Sequence, residues 1–322
     1  MSNTTKGIIL VTLGAMFWGI GGTVSQQMFQ TFNLPLDWFI TVRLFFSGIF
    51  LLLLALIRNQ PIFHVFKDRY TMVHLIIYSI FGMLAVQYTF LASIEAGNAA
   101  VATLLQYLAP IVILIFLLVT RKTSFRVIDF IIIAASTFGT FLLLTSGNIN
   151  NVVVAPAAII WGLLSAVAAA FYTMYAGRLF IHHKPLVIIG WAMLFAGIFI
   201  SVFNRHWHIN PFSMGGTAVM YLAFVIIVGT ALAFFLYLLS VKFIDPQLTA
   251  LLGCIEPLTA VILSIIWLKQ PFDFIQVIGM MIILGVVLFI SMMNSKKKRH
   301  HSLRDILLSL FLFKCLSSIF KI

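Results

Sequence analysis

The chain has few charged residues and few cysteines. Charged side chains make up 9% of its 322 residues and only 8 residues are acidic, whereas hydrophobic residues make up 62%. A soluble globular domain carries about 25% charged residues, so this composition excludes a protein that stays dispersed in water. The two cysteines, Cys254 and Cys315, form neither a disulfide framework nor the spacing of a metal site. The composition therefore indicates a membrane protein.

Sequence motifs of nucleotide-binding and metal-dependent enzymes are also missing. No Gly-rich loop ends in Gly-Lys-Ser or Gly-Lys-Thr, which excludes a pump driven by ATP hydrolysis. Gly19, Gly21 and Gly22 resemble part of a dinucleotide-binding motif, but they lie inside an apolar run with no strand before it. The histidine pairs 182–183 and 300–301 are adjacent residues, which is a poor geometry for a metal site. We expect no enzyme activity and no cofactor.

Apolar runs of about 20 residues, by contrast, occur ten times and are separated by short polar breaks. A run of this length crosses the ~30 Å hydrocarbon core of a bilayer as one α-helix. We therefore predict an all-α membrane protein with ten transmembrane helices and no sizeable domain in water. The predicted spans are 7–28, 37–57, 71–93, 97–119, 127–145, 155–179, 186–203, 216–240, 246–268 and 273–293.

Lysine and arginine gather in every second break. The breaks at 29–36, 94–96 and 146–154 contain none, whereas the alternate breaks and the two flanks of the bundle contain most of them. Because cytoplasmic loops retain such residues, the pattern predicts a multi-pass protein of the plasma membrane with both termini in the cytoplasm. The same pattern explains the net charge of +12 without a nucleic-acid partner.

The two halves of the chain resemble each other. Pro110 and Pro257 are 147 positions apart, and the same offset relates Gly82 to Gly229 and residues 104–105 to the identical pair at 251–252. The predicted third and fourth helices thus match the eighth and ninth, which gives two units of five helices. An odd number of helices per unit inverts the second unit relative to the first, as in many secondary transporters.

The repeat predicts how the chain is divided. We expect a first repeat over 7–145, a second over 155–293, and a basic and apolar cytoplasmic tail over 294–322. In inverted-repeat transporters the substrate site lies near the bilayer midplane, where the two units meet.

Four short segments carry a resemblance to a known family. They are Phe17-Trp18-Gly19 in the first predicted helix, Arg43 in the second, residues 102–110 in the fourth and residues 250–258 in the ninth. With these segments in this order, and with two inverted five-helix units, the chain resembles the EamA family of the drug/metabolite transporter superfamily over residues 6–293. The resemblance implies export or exchange of small metabolites, such as amino acids, without ATP.

Two ionisable residues lie deep in predicted helices. Glu256 lies about ten residues into the ninth helix, ~15 Å deep, and Arg43 about six residues into the second, ~9 Å deep, at 1.5 Å per residue. Charges at such depths are costly, which makes both residues candidates for substrate binding. Glu256 is also a candidate for proton or cation coupling, and we expect it to pair with Arg43. The alternatives are a structural acid and an arginine that reaches back to the interface.

Other candidates are polar or aromatic residues and helix breaks near the midplane. Pro110 and Pro257 each remove a backbone donor, and matched breaks in two inverted units point to a binding site, although plain packing kinks are equally consistent. Amide and aromatic side chains that face a cavity can bind an amphipathic solute. The residues that we select on this basis are Trp18, Gln87, Tyr88, Gln106 and Tyr107.

The function predicted from these observations is alternating-access transport of a small metabolite. Efflux of cationic drugs is the alternative within transport, since aromatic rings can bind cations. An intramembrane enzyme would need acidic or histidine clusters in its loops, and a channel would need a continuous polar stripe; neither pattern is present. The sequence leaves the substrate, the coupling ion and the oligomeric state open.

Overall fold

The computed structural model describes residues 3–122, 124–148, 153–206 and 209–296. Within these ranges the regular structure is entirely helical. The prediction of an all-α protein is therefore confirmed.

Ten helices are long and apolar enough to cross a membrane or nearly so. Nine have at least 18 residues in the described part of the chain, and the tenth, α7, has 17 residues, which is the lower limit for a span. Their bounds are α1 Asn3–Phe32, α2 Leu36–Ile57, α3 Arg69–Ala96, α4 Ala99–Val119, α5 Val127–Thr145, α6 Pro156–Phe180, α7 Pro185–Ser201, α8 Gly216–Ser240, α9 Pro246–Ile266 and α10 Phe274–Lys296. Each of the ten predicted spans corresponds to a different one of these helices, with ends that differ by a few residues.

The repeat is visible in the irregularities of the helices. Both α3 and α8 contain a stretch of π-helix, at Tyr78–Leu84 and at Ile227–Leu232, and these stretches overlap when shifted by 147 positions. Both α4 and α9 are broken into two parts, and the first parts, Ala99–Gln106 and Pro246–Gly253, superpose under the same shift. The chain is therefore two five-helix repeats, and the second is inverted relative to the first.

Helix pairs follow the repeat. Helix α2 packs along α7, and α5 packs along α10. Helices α3 and α4 pack on α6 of the other repeat, and α8 and α9 pack on α1. We call α3, α4 and α6 the first bundle, and α1, α8 and α9 the second bundle. Each bundle thus combines helices of both repeats.

Glycines bring the helix backbones close together. A Cβ atom added to Gly229 in α8 would lie 2.8 Å from the Cα of Gly21 in α1, and one added to Gly279 in α10 would lie 2.6 Å from the carbonyl oxygen of Gly139 in α5. No side chain fits at such distances, so glycine is required for this approach. Small residues at helix contacts are the usual means of association in a bilayer, where apolar burial alone drives little packing.

The loops define two membrane faces. The loops at 58–68, 120–122, 124–126, 181–184 and 241–245 lie on the same side as the N-terminal end of α1, and we call this side the basic face because the lysines and arginines gather there. The loops on the other side form the opposite face. Helix α1 begins at the basic face, whereas α6, its counterpart in the second repeat, begins at the opposite face.

Candidate functional site

A cavity of about 550 Å³ lies between the two bundles. Side chains from both repeats line it, as expected for a site where inverted units meet. Seven of the predicted site residues line this cavity: Trp18, Arg43, Gln87, Gln106, Tyr107, Pro110 and Glu256.

Two predicted residues lie outside the lining. Tyr88 is only partly buried, and its ring centroid lies 5.7 Å from that of Trp161 in α6. Its neighbour Gln87 lines the cavity instead, because successive residues of a helix point about 100° apart. Pro257 is buried in α9 beside Glu256 and acts on the site through the backbone.

The cavity reaches close to the basic face. Its lining includes Tyr237, three residues before the end of α8, and Ala250, four residues after the start of α9. Toward the opposite face the bundles are in contact. There the side-chain oxygen of Gln26 in α1 accepts a hydrogen bond of 2.8 Å from the N–H of Ala99 at the start of α4. The cavity is therefore wide at the basic end and closed at the opposite end.

Arg43 is the buried cation of the site. Its side chain is only 4% exposed, and its Nε donates a hydrogen bond of 2.7 Å to the hydroxyl of Thr230 in the π-helical stretch of α8. Thr230 in turn donates to the carbonyl oxygen of Val225 at 2.8 Å. Ser47, one turn along α2, donates to the carbonyl oxygen of Ile226. Polar groups of α2 thus engage the distorted segment of α8, and such distortions frequently mark functional sites.

One nitrogen of the Arg43 guanidinium, the buried Nη1, lacks a hydrogen-bond partner among the described residues. An unpaired buried donor is costly, so an acceptor that enters the cavity would be favoured at this position. A carboxylate suits a guanidinium best, because the two planar groups can form paired hydrogen bonds.

Glu256 lies where α9 is broken. Tyr107 of α4 donates its hydroxyl to the Gly253 carbonyl oxygen at 2.6 Å and approaches Oε2 of Glu256 at 3.2 Å. Pro257 has no N–H and leaves the Gly253 carbonyl without its helical partner, so Tyr107 supplies the missing donor. This contact joins the two bundles near the middle of the membrane.

Arg43 and Glu256 have separate partners in this conformation. Arg43 bonds to Thr230 and Glu256 to Tyr107, rather than the two bonding to each other as we expected from depth alone. Depth along a helix does not specify which way a side chain points. Both groups nevertheless line one cavity, which gives it a positive and a negative group.

Aromatic rings form one wall of the cavity. The Trp18 ring in α1 lies 4.8 Å from that of Phe234 and 5.0 Å from that of Tyr237, both in α8. In the first bundle, the amide nitrogen of Gln106 donates a hydrogen bond of 2.7 Å to the Ser165 hydroxyl. This bond orients the side-chain oxygen of Gln106. The cavity can thus accommodate an apolar group beside its charged groups.

Thr230 is a polar residue beside the cavity that sequence reasoning missed, as it missed Ser165, Phe234 and Tyr237. A threonine in an apolar helix carries little signal, because it can bond to its own backbone. The available signal was its position next to Gly229, which the repeat relates to Gly82. Within the described ranges, no three His, Cys, Asp or Glu side chains lie close enough to hold a metal ion.

The chain is similar in sequence to known transporter proteins. A sequence model of the EamA-like transporter family matches residues 5–145 and again residues 156–292. The protein named "Uncharacterized inner membrane transporter YicL", from Salmonella typhimurium strain LT2, is 33% identical over 299 residues, which cover 93% of this chain and 99% of YicL. "Uncharacterized transporter YetK" of Bacillus subtilis strain 168 is 24% identical over 301 residues, which cover 89% and 87% of the two chains.

A solved structure supports the fold. It is described only as "Crystal structure of protein", aligns with a TM-score of 0.61 at 15% identity, and covers 92% of this chain and 99% of its own. At this identity the likeness concerns the fold alone. The double match to one sequence model, the full-length relative and the paired irregularities of the helices agree. The chain belongs to the EamA-like transporter family.

Proposed function

We propose that this multi-pass membrane transporter exports or exchanges a small metabolite, an amino acid or a related solute, across the plasma membrane by alternating access. The observation that carries the proposal is the cavity between the bundles, which holds Arg43 and Glu256 and is closed toward one membrane face. In this proposal residues 7–145 and 155–293 act as two repeat domains, and residues 294–322 form a cytoplasmic tail. Of that tail, residues 297–322 lie outside the described part of the chain.

The charges of the cavity support a solute with two charged groups. Arg43 offers Nη1 to a carboxylate, and Glu256 offers its carboxylate to an ammonium group. A zwitterion would neutralise both buried charges at once, which offsets the cost of burying each alone. The aromatic wall formed by Trp18, Phe234 and Tyr237 would then contact the apolar part of the solute.

The direction of the opening supports export. With the basic face in the cytoplasm, as the distribution of lysine and arginine indicates, the wide end of the cavity receives solute from the cell. Closing of that end and opening of the other would release it outside. Glu256 is the group that would bind a coupling proton or cation, because its carboxylate is the acidic group of the cavity lining.

Efflux of cationic compounds is the second candidate. The Trp18 ring, between two other rings and in the same cavity as Glu256, has the chemistry of a site for an aromatic or quaternary cation. Thermal shift of the purified protein separates the two candidates, because a ligand that binds the folded state raises its melting temperature. A shift with amino acids and none with cationic dyes favours the metabolite, and the reverse result favours the drug.

Transport in proteoliposomes tests the proposal directly. We expect Arg43→Gln and Glu256→Gln each to reduce solute exchange at least about 100-fold. Each variant would leave one charge of the bound solute without its partner, and removing one partner of a buried ion pair costs about 3–5 kcal/mol. Arg69→Gln and Glu95→Gln are matched controls, since neither residue lines the cavity, and they should retain exchange. Unchanged exchange in both cavity variants would contradict the proposed site.

A further inference from the structure

A second cavity, distinct from the central one, lies at the basic face. It has a volume of about 290 Å³ and is formed where the loop between α2 and α3 meets the loop between α6 and α7. Four nitrogen-bearing side chains line it: His64, His182, His183 and Lys184. Its volume is at the low end for ligand sites, so it fits a small polar group rather than a whole metabolite.

Among the described residues, the lining of this cavity contains one ammonium group, that of Lys184, and no carboxylate. Thr71 donates its single hydroxyl proton to Asp68 at 2.8 Å, so the contact of 3.2 Å between His183 Nε2 and the Thr71 oxygen requires that Nε2 carry a proton and donate. Asp68 does not line the cavity and already accepts from the N–H groups of Tyr70 and Thr71. The Lys184 ammonium and the N–H groups of the His64 and His182 imidazoles are therefore the donors that an anion would find here.

A metal ion does not suit these imidazoles. The His64 and His183 rings are perpendicular, with centroids 6.4 Å apart. Among the residues that the structure describes, no three possible metal ligands lie within reach of one ion. Lys184, whose ammonium group cannot bind a cation, also lines the cavity.

Exposed apolar side chains lie at and beside this cavity. Ile181 lines the cavity and is 77% exposed, and Phe63, next to His64 in sequence, is 65% exposed. Both belong to loops of the basic face, where such side chains would be available to acyl chains. A cavity that combines a lysine and imidazole donors with exposed apolar side chains has the chemistry of a phospholipid site.

We propose that this cavity binds the phosphate of an anionic phospholipid headgroup, with Lys184 and His64 as its principal ligands. The phosphate accepts from the Lys184 ammonium and from the imidazoles, while the first carbons of the acyl chains lie over Ile181. The lipid thereby bridges the loops that precede α3 and α7, the helices on either side of this cavity.

Native mass spectrometry of the full-length protein tests this site. The protein is incorporated into nanodiscs of phosphatidylglycerol or of phosphatidylcholine with the same acyl chains, and the retained lipids are counted. We expect one more tightly held lipid with phosphatidylglycerol, and we expect Lys184→Gln combined with His64→Gln to weaken its binding at least roughly fivefold, since each basic group near the membrane surface contributes about that factor.

The matched control is Lys122→Gln, which removes a lysine from another loop of the basic face. Lys122 lies over the Phe116 ring and does not line the cavity, so it should leave the held lipid unchanged. Equal loss in the control and in the double variant, or equal retention of phosphatidylcholine, would overturn the proposal. Protection of the protein by inorganic phosphate alone, without any selectively held phosphatidylglycerol, would overturn the lipid as the source of the phosphate.

Lower pH provides an independent readout. Burial, together with the neighbouring His64 and His182, holds the pKa of His183 below its ordinary value. The groups that face His183 are Asp68 at the cap of α3, Thr71 from α3, His64 from the loop before α3, and His182 and Lys184 from its own loop. Acidification below pH 6.5 adds positive charge to His183, so phosphatidylglycerol should be held more tightly at pH 5.5 than at pH 7.5. The same binding at both pH values would exclude His183 from the site.

Discussion

The two repeats share a backbone but not their chemistry. Shifted by 147 positions, Arg43 of α2 corresponds to Gly190 of α7, and Glu256 of α9 corresponds to Ala109 of α4. Thr230, the partner of Arg43, corresponds to Met83. The repeat thus supplies a symmetric frame, while the charged groups of the cavity occur once each. In our proposal, the repeated helices permit the alternating motion, and the charged groups that occur once recognise the solute.

The two ends of the cavity differ in the same way. At the closed end, Gly22 of α1 lies against Ile94 of α3 and Ala99 of α4, at normal van der Waals distances of 3.8 Å for a Cβ placed on the glycine. The repeat relates Gly22 to Ala169 in α6 and Ala99 to Pro246 at the start of α9. Ala169 lines the cavity. Alternating access predicts that this second contact forms when the first one opens.

The largest expected effect comes from locking one end. In a background with Cys254 and Cys315 replaced by serine, we expect a disulfide between Gly22→Cys and Ala99→Cys to form readily, because a Cβ on Gly22 lies 3.8 Å from that of Ala99. This disulfide should reduce transport to background, because it holds the opposite end closed. We expect Ala169→Cys with Pro246→Cys to cross-link more slowly, as the basic end closes, and to stop transport equally. Transport before and after oxidation, and after reduction by dithiothreitol, measures both.

Reduction should restore transport in both pairs, which controls for damage by the substitutions themselves. If the Ala169→Cys and Pro246→Cys pair cross-links without loss of transport, the two ends do not alternate. The comparison of the repeats would then describe the static fold only.

An intermediate effect is expected where the bundles touch at mid-membrane. Tyr107→Phe removes the donor to the Gly253 carbonyl, and the repeat relates position 107 to Cys254. We expect a loss of stability of about 1–3 kcal/mol from the unsatisfied carbonyl. Thermal unfolding in detergent should show the lower melting temperature. Tyr221→Phe is the control, since Tyr221 lies outside the cavity lining, and an equal loss there would remove the assigned role of Tyr107.

The smallest effect concerns the helix starts. Asp68 caps α3 by accepting from Tyr70 and Thr71, whereas its repeat counterpart Gly215 precedes α8 without a side-chain cap. The hydrogen bonds from Thr71 hold the pKa of Asp68 below its ordinary value of 3.8. The folded protein thus favours the ionised cap, whose contribution to stability is present above pH 3.8 and is lost as the pH falls through the folded value.

Asp68→Gly makes the first repeat resemble the second at this position. We expect a slightly lower melting temperature at pH 7 and at pH 5, and a difference from the natural protein that shrinks below pH 3.8. A difference that persists unchanged at pH 3 would show that the cap acts by something other than its charge.

Sequence reasoning selected residues that line the cavity but not how they pair. Arg43 and Glu256 stand out because charges in apolar helices are costly. Thr230, the partner of Arg43, was not selected, and Tyr107 was selected without its contact to Glu256, since the partners are 187 and 149 positions apart. Such pairs depend on how helices are rotated about their axes. The same rotation directs Gln87 into the cavity and leaves Tyr88 outside it.

The amino-acid order alone specifies the ten spans and the inverted repeat, because a bilayer demands about 20 apolar residues per crossing and a 147-position offset can be read directly. Packing in three dimensions settles which helices form each bundle and which end of the cavity is closed. Those outcomes rest on contacts such as Gly21 against Gly229 and Gln26 against Ala99, between residues far apart in the chain. No local pattern encodes such contacts, because they arise only when whole helices meet.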